Sequence, residues 1–171
     1  DFIFYPCMPY NFNEGISDNH YNCPVVAYYP ELLAVNMPRL KTAKYLYPYF
    51  SLENRKGFIK RAADYFGGHL HVTASDVKNA AKVAYQAYTA YRNDIIATGE
   101  EYIARARDSG MRIIVTAGRP YHIDPEINHG IDEMMTSYGL AIITEDALSA
   151  MLAREPRRVL NQWTYQARMY N

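Results

Sequence analysis

Cysteine is scarce in this sequence: Cys7 and Cys23 are the two thiols in 171 residues. With 15 residues between them, they exclude the compact C-x-x-C patterns of zinc ribbons and redox motifs. Charge of one sign is lacking too. Lys+Arg and Asp+Glu are both 18, so the formal net charge is zero and the electrostatic footprint of a nucleic-acid binder is missing. No apolar run is long enough for a bilayer, since the longest, around Val25–Val35, is interrupted by Pro30 and Glu31. No basic stretch followed by an apolar core opens the chain, so a secretory leader is not expected and the cytoplasm is the expected location. Internal repeats and low-complexity tracts are absent.

What is present points to a folded domain. Hydrophobic residues make up 49% and charged residues 21%, a globular balance in a chain long enough to bury a core. Tyrosine stands out with 17 residues, many at helical spacing, which suits packing groups whose hydroxyls reach the boundary. The chain starts at Asp1 and runs directly into "FIFY", and the expectation is a piece of a larger polypeptide.

Periodicity predicts an α/β order. Phe2–Tyr5 reads as a strand ended by Pro6, and Cys7–Asn22 as a turn-rich loop. Pro24 suits a first helical position, so a helix is expected from about Pro24 to Val35, with Pro30 kinking or splitting it. Lys44–Tyr47 reads as a second strand, followed by a helix that ends at Gly67 and Gly68. The clearest element is a long helix over about residues 75–108, whose Val77, Ala81, Ala84, Tyr88, Tyr91 and Ile95 form one stripe. Ser75 or Asp76 is its expected cap, Gly110 its end, and Gly99 a point of interruption. Strands over Arg112–Ala117 and Leu140–Thr144 flank a helix over about Glu126–Ser137, and "EDALSAML" and "PRRVLNQWTYQARMY" read as helical. Alternating strands and helices imply a Rossmann-like layered fold with a mostly parallel sheet flanked by helices. One domain over residues 1–171 is expected, with candidate sub-units 1–74 and 110–171 joined by the long helix.

Two constellations carry chemistry. Cys7 follows a strand end and Cys23 precedes a helix start, the places where an α/β sheet offers ligands and where a helix N-terminus favours a thiolate. Three readings stay open: a disulfide, disfavoured without signs of export; two unrelated buried thiols; or two ligands of a metal or cluster whose other ligands come from elsewhere. His20, three residues before Cys23, could supply one nitrogen to a mixed zinc site. The second constellation is "GRPYHIDPEINHG", a strand, a glycine, a polar loop and a helix, an arrangement that collects anions. Gly118 permits close backbone approach, Arg119 offers a fork for phosphate or carboxylate, and His122 and His129 are acid–base candidates. Asp124 caps the helix that Pro125 opens. The segment matches neither G-x-G-x-x-G nor the P-loop, where Ile123 would have to be glycine. The plain alternative is a helix start with Arg119 paired to a neighbouring carboxylate and both histidines at the surface.

Together, "YPC", "NCPVV" and "AGRPYHIDPEINHGI", with the tail "NQWTYQARMY", resemble the domain of unknown function (DUF2229) of large CoA-substrate-specific enzyme activases, proteins related to 2-hydroxyacyl-CoA dehydratases. The resemblance spans nearly the whole chain. It implies an iron–sulfur-associated domain in a system that drives a low-potential electron into a dehydratase cluster for acyl-CoA dehydration. It further implies a 4Fe–4S or related cluster in the full-length protein, with Cys7 and Cys23 as ligands and a further cysteine that this chain does not carry. Gly118, Arg119, Tyr121 and His122 would line a cleft for cofactor or acyl-CoA. The implied partners are actin-like ATPase and dehydratase-like modules of the same polypeptide and acyl-CoA, with no nucleic acid and no membrane. The isolated piece is expected to be inactive alone. A non-catalytic acyl-CoA or partner-binding module and a zinc-stabilised domain are the competing readings.

Overall fold

The computed structural model describes residues 2–149, 151 and 160–170. The chain is α/β, with short parallel strands and several helices, and it divides into two compact units. One comprises Asp1–Tyr85 with Gln162–Thr164, the other Gln86–Asn161 with Tyr165–Asn171.

In the first unit, strands β1 (Ile3–Phe4) and β2 (Cys7–Tyr10) precede helix α1 (Pro24–Asn36), and β3 (Tyr45–Leu46) and β4 (Tyr49–Ser51) follow it. β1 pairs with β3 and β2 with β4, both parallel. These pairs are two halves of one ladder: the N–H groups of Ile3, Tyr5 and Cys7 donate in turn to the carbonyls of Lys44, Leu46 and Pro48 at 2.8–3.0 Å. Pro48 lacks the N–H that would donate back across the gap between the halves. Cys7 therefore belongs to a strand and not to the expected loop, because the ladder resumes one residue beyond Pro6. The second half, β4, went unrecognised in the sequence for the same reason, hidden behind Pro48. α1 begins with Pro24 directly after Cys23, as expected, and runs through Pro30 as one helix. Pro30 is fully buried there, so packing outweighs the missing backbone bond.

Helix α2 (Arg55–Leu70) is capped by Asn54, whose side chain accepts from the Gly57 N–H at 3.0 Å. It continues past Gly67 and Gly68 and stops only where His71 turns left-handed at φ 55°. The aromatic residues gather around Phe50, which is 3% exposed and meets Phe4, Phe58, Tyr65 and Phe66 at centroid distances of 5.4–6.3 Å. Helix α3 (Ala74–Asp108) opens on a reciprocal cap: Asp76 accepts from the Thr73 N–H and hydroxyl, and the Thr73 hydroxyl accepts from the Asp76 N–H. Thr73 is thus the cap in place of Ser75, and its two hydrogen bonds hold the Asp76 carboxyl below the ordinary range. α3 is unbroken at Gly99.

In the second unit, strand β5 (Ile113–Thr116) pairs in parallel and in full register with β6 (Ala141–Thr144). Between them lie a 3-10 turn at Pro120–Ile123 and helices α4 (Pro125–Asn128) and α5 (Ile131–Ser137). The single helix expected over 126–137 is broken because His129 and Gly130 both take left-handed conformations, φ 55° and 74°. Helix α6 (Glu145–Leu148) leaves β6 directly, and α7 (Thr164–Tyr170) is the last element. Gly99 is needed here for close packing: a Cβ on it would come within 2.7 Å of the Ala147 Cβ. The expected layered sheet takes the form of short parallel pairs among the described residues, and the helical reading over 152–159 lies outside them. No described helix is long and apolar enough to cross a membrane.

Candidate functional site

The carboxyl ends of β5 and β6 meet a cavity of about 490 Å³. Open α/β sheets bind ligands at such strand ends, because the loops leaving them diverge and expose backbone donors. Thr116 and Thr144 close the strands, and the Thr116 hydroxyl donates to the Ile143 carbonyl at 3.3 Å, holding the two ends together. Tyr102 of α3 lines the same cavity and its hydroxyl oxygen accepts from the Ile142 N–H. Ile123, Ile131 and Ile142 supply apolar wall, while Arg119, His122, Asn128, Asp132, Glu133 and Glu145 are among its polar lining.

Local sequence explains the loop geometry. Gly118 has no side chain where His122 packs: a Cβ there would lie 2.5 Å from the His122 Nδ1. His122 Nδ1 accepts from the Arg119 N–H at 3.0 Å, which leaves the proton of a neutral ring on Nε2. The ring thereby presents a donor on its far side. Asp124 accepts from the Glu126 N–H at 2.9 Å and caps α4, as expected from Asp124-Pro125. Among the described residues Arg119 pairs with no carboxylate, so the plain reading of this arginine does not describe it.

Glu145 is the residue that sequence reasoning missed. It is 9% exposed, the first residue of α6, and lines the cavity. Burial pushes its carboxyl above the usual range; its own N–H, the Gly118 N–H and the Arg168 guanidinium oppose that shift, and Asp146 adds to it. The only signal in the sequence was an acidic residue immediately after a buried strand, at the end of "LAIIT".

Gly118, Arg119 and His122 therefore come together in one wall. Tyr121 is half exposed and sits edge-on against the His122 ring at 4.6 Å, outside that wall. His129 serves as the left-handed cap of α4.

Cys7 and Cys23 lie in the first unit. Cys7 is completely buried in β2, next to Tyr49 and Glu31. Burial pushes its thiol up, the reverse of what a metal ligand needs. Hydrogen bonding to the Glu31 carboxylate also pushes the Tyr49 hydroxyl up, so Cys7 and Tyr49 both favour their protonated forms near neutrality. Cys23 is half-buried at the start of α1, and both thiols are free. His20 is buried beside Glu53, 3.9 Å away, and its Nδ1 lies 3.4 Å from the Ser17 hydroxyl. Among the described residues no three His, Cys, Asp or Glu side chains gather as a metal site. Among the described residues, the donors around either thiol do not by themselves complete an iron–sulfur cluster or a structural zinc site.

Two parallel strand–helix–strand units, one opening on a lined cavity at its strand ends, make this an α/β chain. The chain belongs to the CoA enzyme activase uncharacterised domain family (DUF2229), whose family model matches residues 1–148. That span contains both cysteines, the Gly118–His122 loop and Glu145. No curated protein and no solved structure matches the chain.

Proposed function

We propose that the chain serves a CoA enzyme activase as a binding module that receives an acyl-CoA thioester at the carboxyl ends of β5 and β6. The observation that supports this reading most is the cavity of about 490 Å³, of a size suited to a small organic ligand, whose lining combines apolar wall with Arg119, His122 and the carboxylates Asp132, Glu133 and Glu145. In this reading the Gly118–His122 loop orients the ligand. Arg119 attracts its anionic part, the His122 Nε2–H offers a hydrogen bond to a carbonyl, and the isoleucines take the acyl chain. Calorimetry with a CoA thioester tests it. Arg119→Ala is expected to weaken binding by about tenfold or more, the loss of a charge-assisted contact. Equal affinity, or no binding by the wild-type chain, overturns the reading.

Low-potential electron transfer through a 4Fe–4S or related cluster belongs, in this reading, to the actin-like ATPase and dehydratase-like modules expected as partners in the same polypeptide. The reason is Cys7, a protonated thiol with no open face. Iron content of an intact activase polypeptide is expected to survive Cys7→Ala combined with Cys23→Ala; loss of iron in that variant would return the two thiols to the cluster.

A further inference from the structure

The 3-10 turn at Pro120–Ile123 is closed twice by the same two residues. The His122 backbone N–H donates to the Arg119 carbonyl at 2.8 Å, and the Arg119 N–H donates to the His122 Nδ1 at 3.0 Å. The second bond is the back half of a capping box, in which a side chain three residues into the turn accepts the N–H of the capping residue. Glu or Gln ordinarily fills that position, and its side-chain oxygen accepts throughout the range around neutrality. Here the position holds histidine, and Nδ1 of an imidazole accepts only while the ring is neutral.

Protonation changes what the ring can do there. An imidazolium carries a hydrogen on each nitrogen, so Nδ1 would turn a donor toward the Arg119 donor 3.0 Å away. The ring has no room to shift toward Gly118, where even a Cβ would lie 2.5 Å from Nδ1. It can swing outward, because His122 is exposed and its aromatic neighbour Tyr121 is exposed too. The backbone bond from His122 to Arg119 contains no titrating group, so the turn itself survives the movement.

We propose that His122 is a proton-operated latch: its neutral ring holds the Gly118–His122 loop closed as part of the cavity wall, and its charged ring lets go. The charged and titratable groups that share this wall are Arg119 in the same loop, Tyr102 on α3, Asp132 and Glu133 on α5, and Glu145 on α6. Tyr121 stands edge-on to the ring at 4.6 Å, and His129 follows at the end of α4. Glu145 bears on the loop backbone as well, through the Gly118 N–H, so it is a second titrating group that the test must separate from the first. A single hydrogen bond biases the loop by about fivefold, enough to shift its population without unfolding the chain. The latch belongs to the chain without ligand and goes beyond the thioester reading; either can fail while the other stands.

Nuclear magnetic resonance of the isotope-labelled full chain, titrated from about pH 8 to about pH 5, reads the latch directly. At the upper end the His122 ring is expected with its proton on Nε2, and the Arg119 amide proton downfield, as a hydrogen-bonded donor. As the ring takes up its second proton, the Arg119 amide should move upfield along the same curve. His122→Gln restores the ordinary capping-box acceptor without a titrating group, so its Arg119 amide should stay downfield throughout. In His122→Ala the amide should stay upfield throughout. The wild-type curve should persist in Glu145→Gln and in His129→Asn, which remove the other titrating groups nearest the loop backbone. An Arg119 amide that does not move in wild type overturns the latch. So does a neutral ring protonated on Nδ1, and so does a curve that survives the loss of His122.

Discussion

Gly118→Ala isolates the contact on which the loop depends. The glycine is outside the left-handed region, so alanine can adopt its backbone without strain. The added methyl would meet the His122 Nδ1 at 2.5 Å and its Cγ at 3.2 Å. His122 is exposed, so the ring can swing into solvent and the clash is relieved without compressing the core. What is then lost is the hydrogen bond from the Arg119 N–H, at about 1 kcal/mol. Alanine returns about 0.4–1 kcal/mol by narrowing the unfolded ensemble. The net destabilisation in wild type is therefore small, about 0–1 kcal/mol, and magnitude alone decides little. The sign does. In a His122→Ala background neither the clash nor the bond exists, so the same substitution becomes neutral or stabilising. Urea denaturation of the four proteins in a double-mutant cycle should give a coupling of about 1 kcal/mol. Additive effects would refute the contact, and so would a loss above about 2 kcal/mol in both backgrounds.

Three further outcomes follow from burial. Glu145→Gln should change how stability depends on pH: the folded carboxyl is raised above its ordinary value of 4.5, so the folded chain retains the proton longer and wild type loses stability as pH rises through that window. The variant should match wild type below the window and exceed it above; parallel melting profiles from about pH 4 to 8 would remove the buried carboxyl from the account. A thiol reagent should modify Cys23 in the native chain and Cys7 more than ~100-fold more slowly, since Cys7 must wait for local opening; mass spectrometry finding equal rates would place Cys7 at the surface. Phe50→Ala should cost about 3–5 kcal/mol in chemical denaturation, because four rings lose their common neighbour, and a cost under about 1 kcal/mol would dissolve that cluster as a core.

The sequence by itself determined the local events. Pro24 after Cys23 announced the start of α1, the stripe from Val77 to Ile95 announced α3, and the apolar runs near 113 and 141 announced β5 and β6. Each depends on neighbours a few residues apart, and the family resemblance in "GRPYHIDPEINHG" is likewise written in consecutive residues. Only the tertiary structure decided what required distant partners. β2 and β4 are legible as strands only once Cys7 finds Pro48, because two prolines hide the ladder from any local pattern. Pro30 remains helical because its burial outweighs its local preference, and α2 runs on through Gly67 and Gly68 to His71. Burial turned Cys7 from a candidate thiolate into a protonated thiol, and it made Glu145, one acid among 18 Asp and Glu residues, a buried carboxylate at the cavity wall. Burial is a property of distance in space, which the order of residues does not contain until the chain has folded.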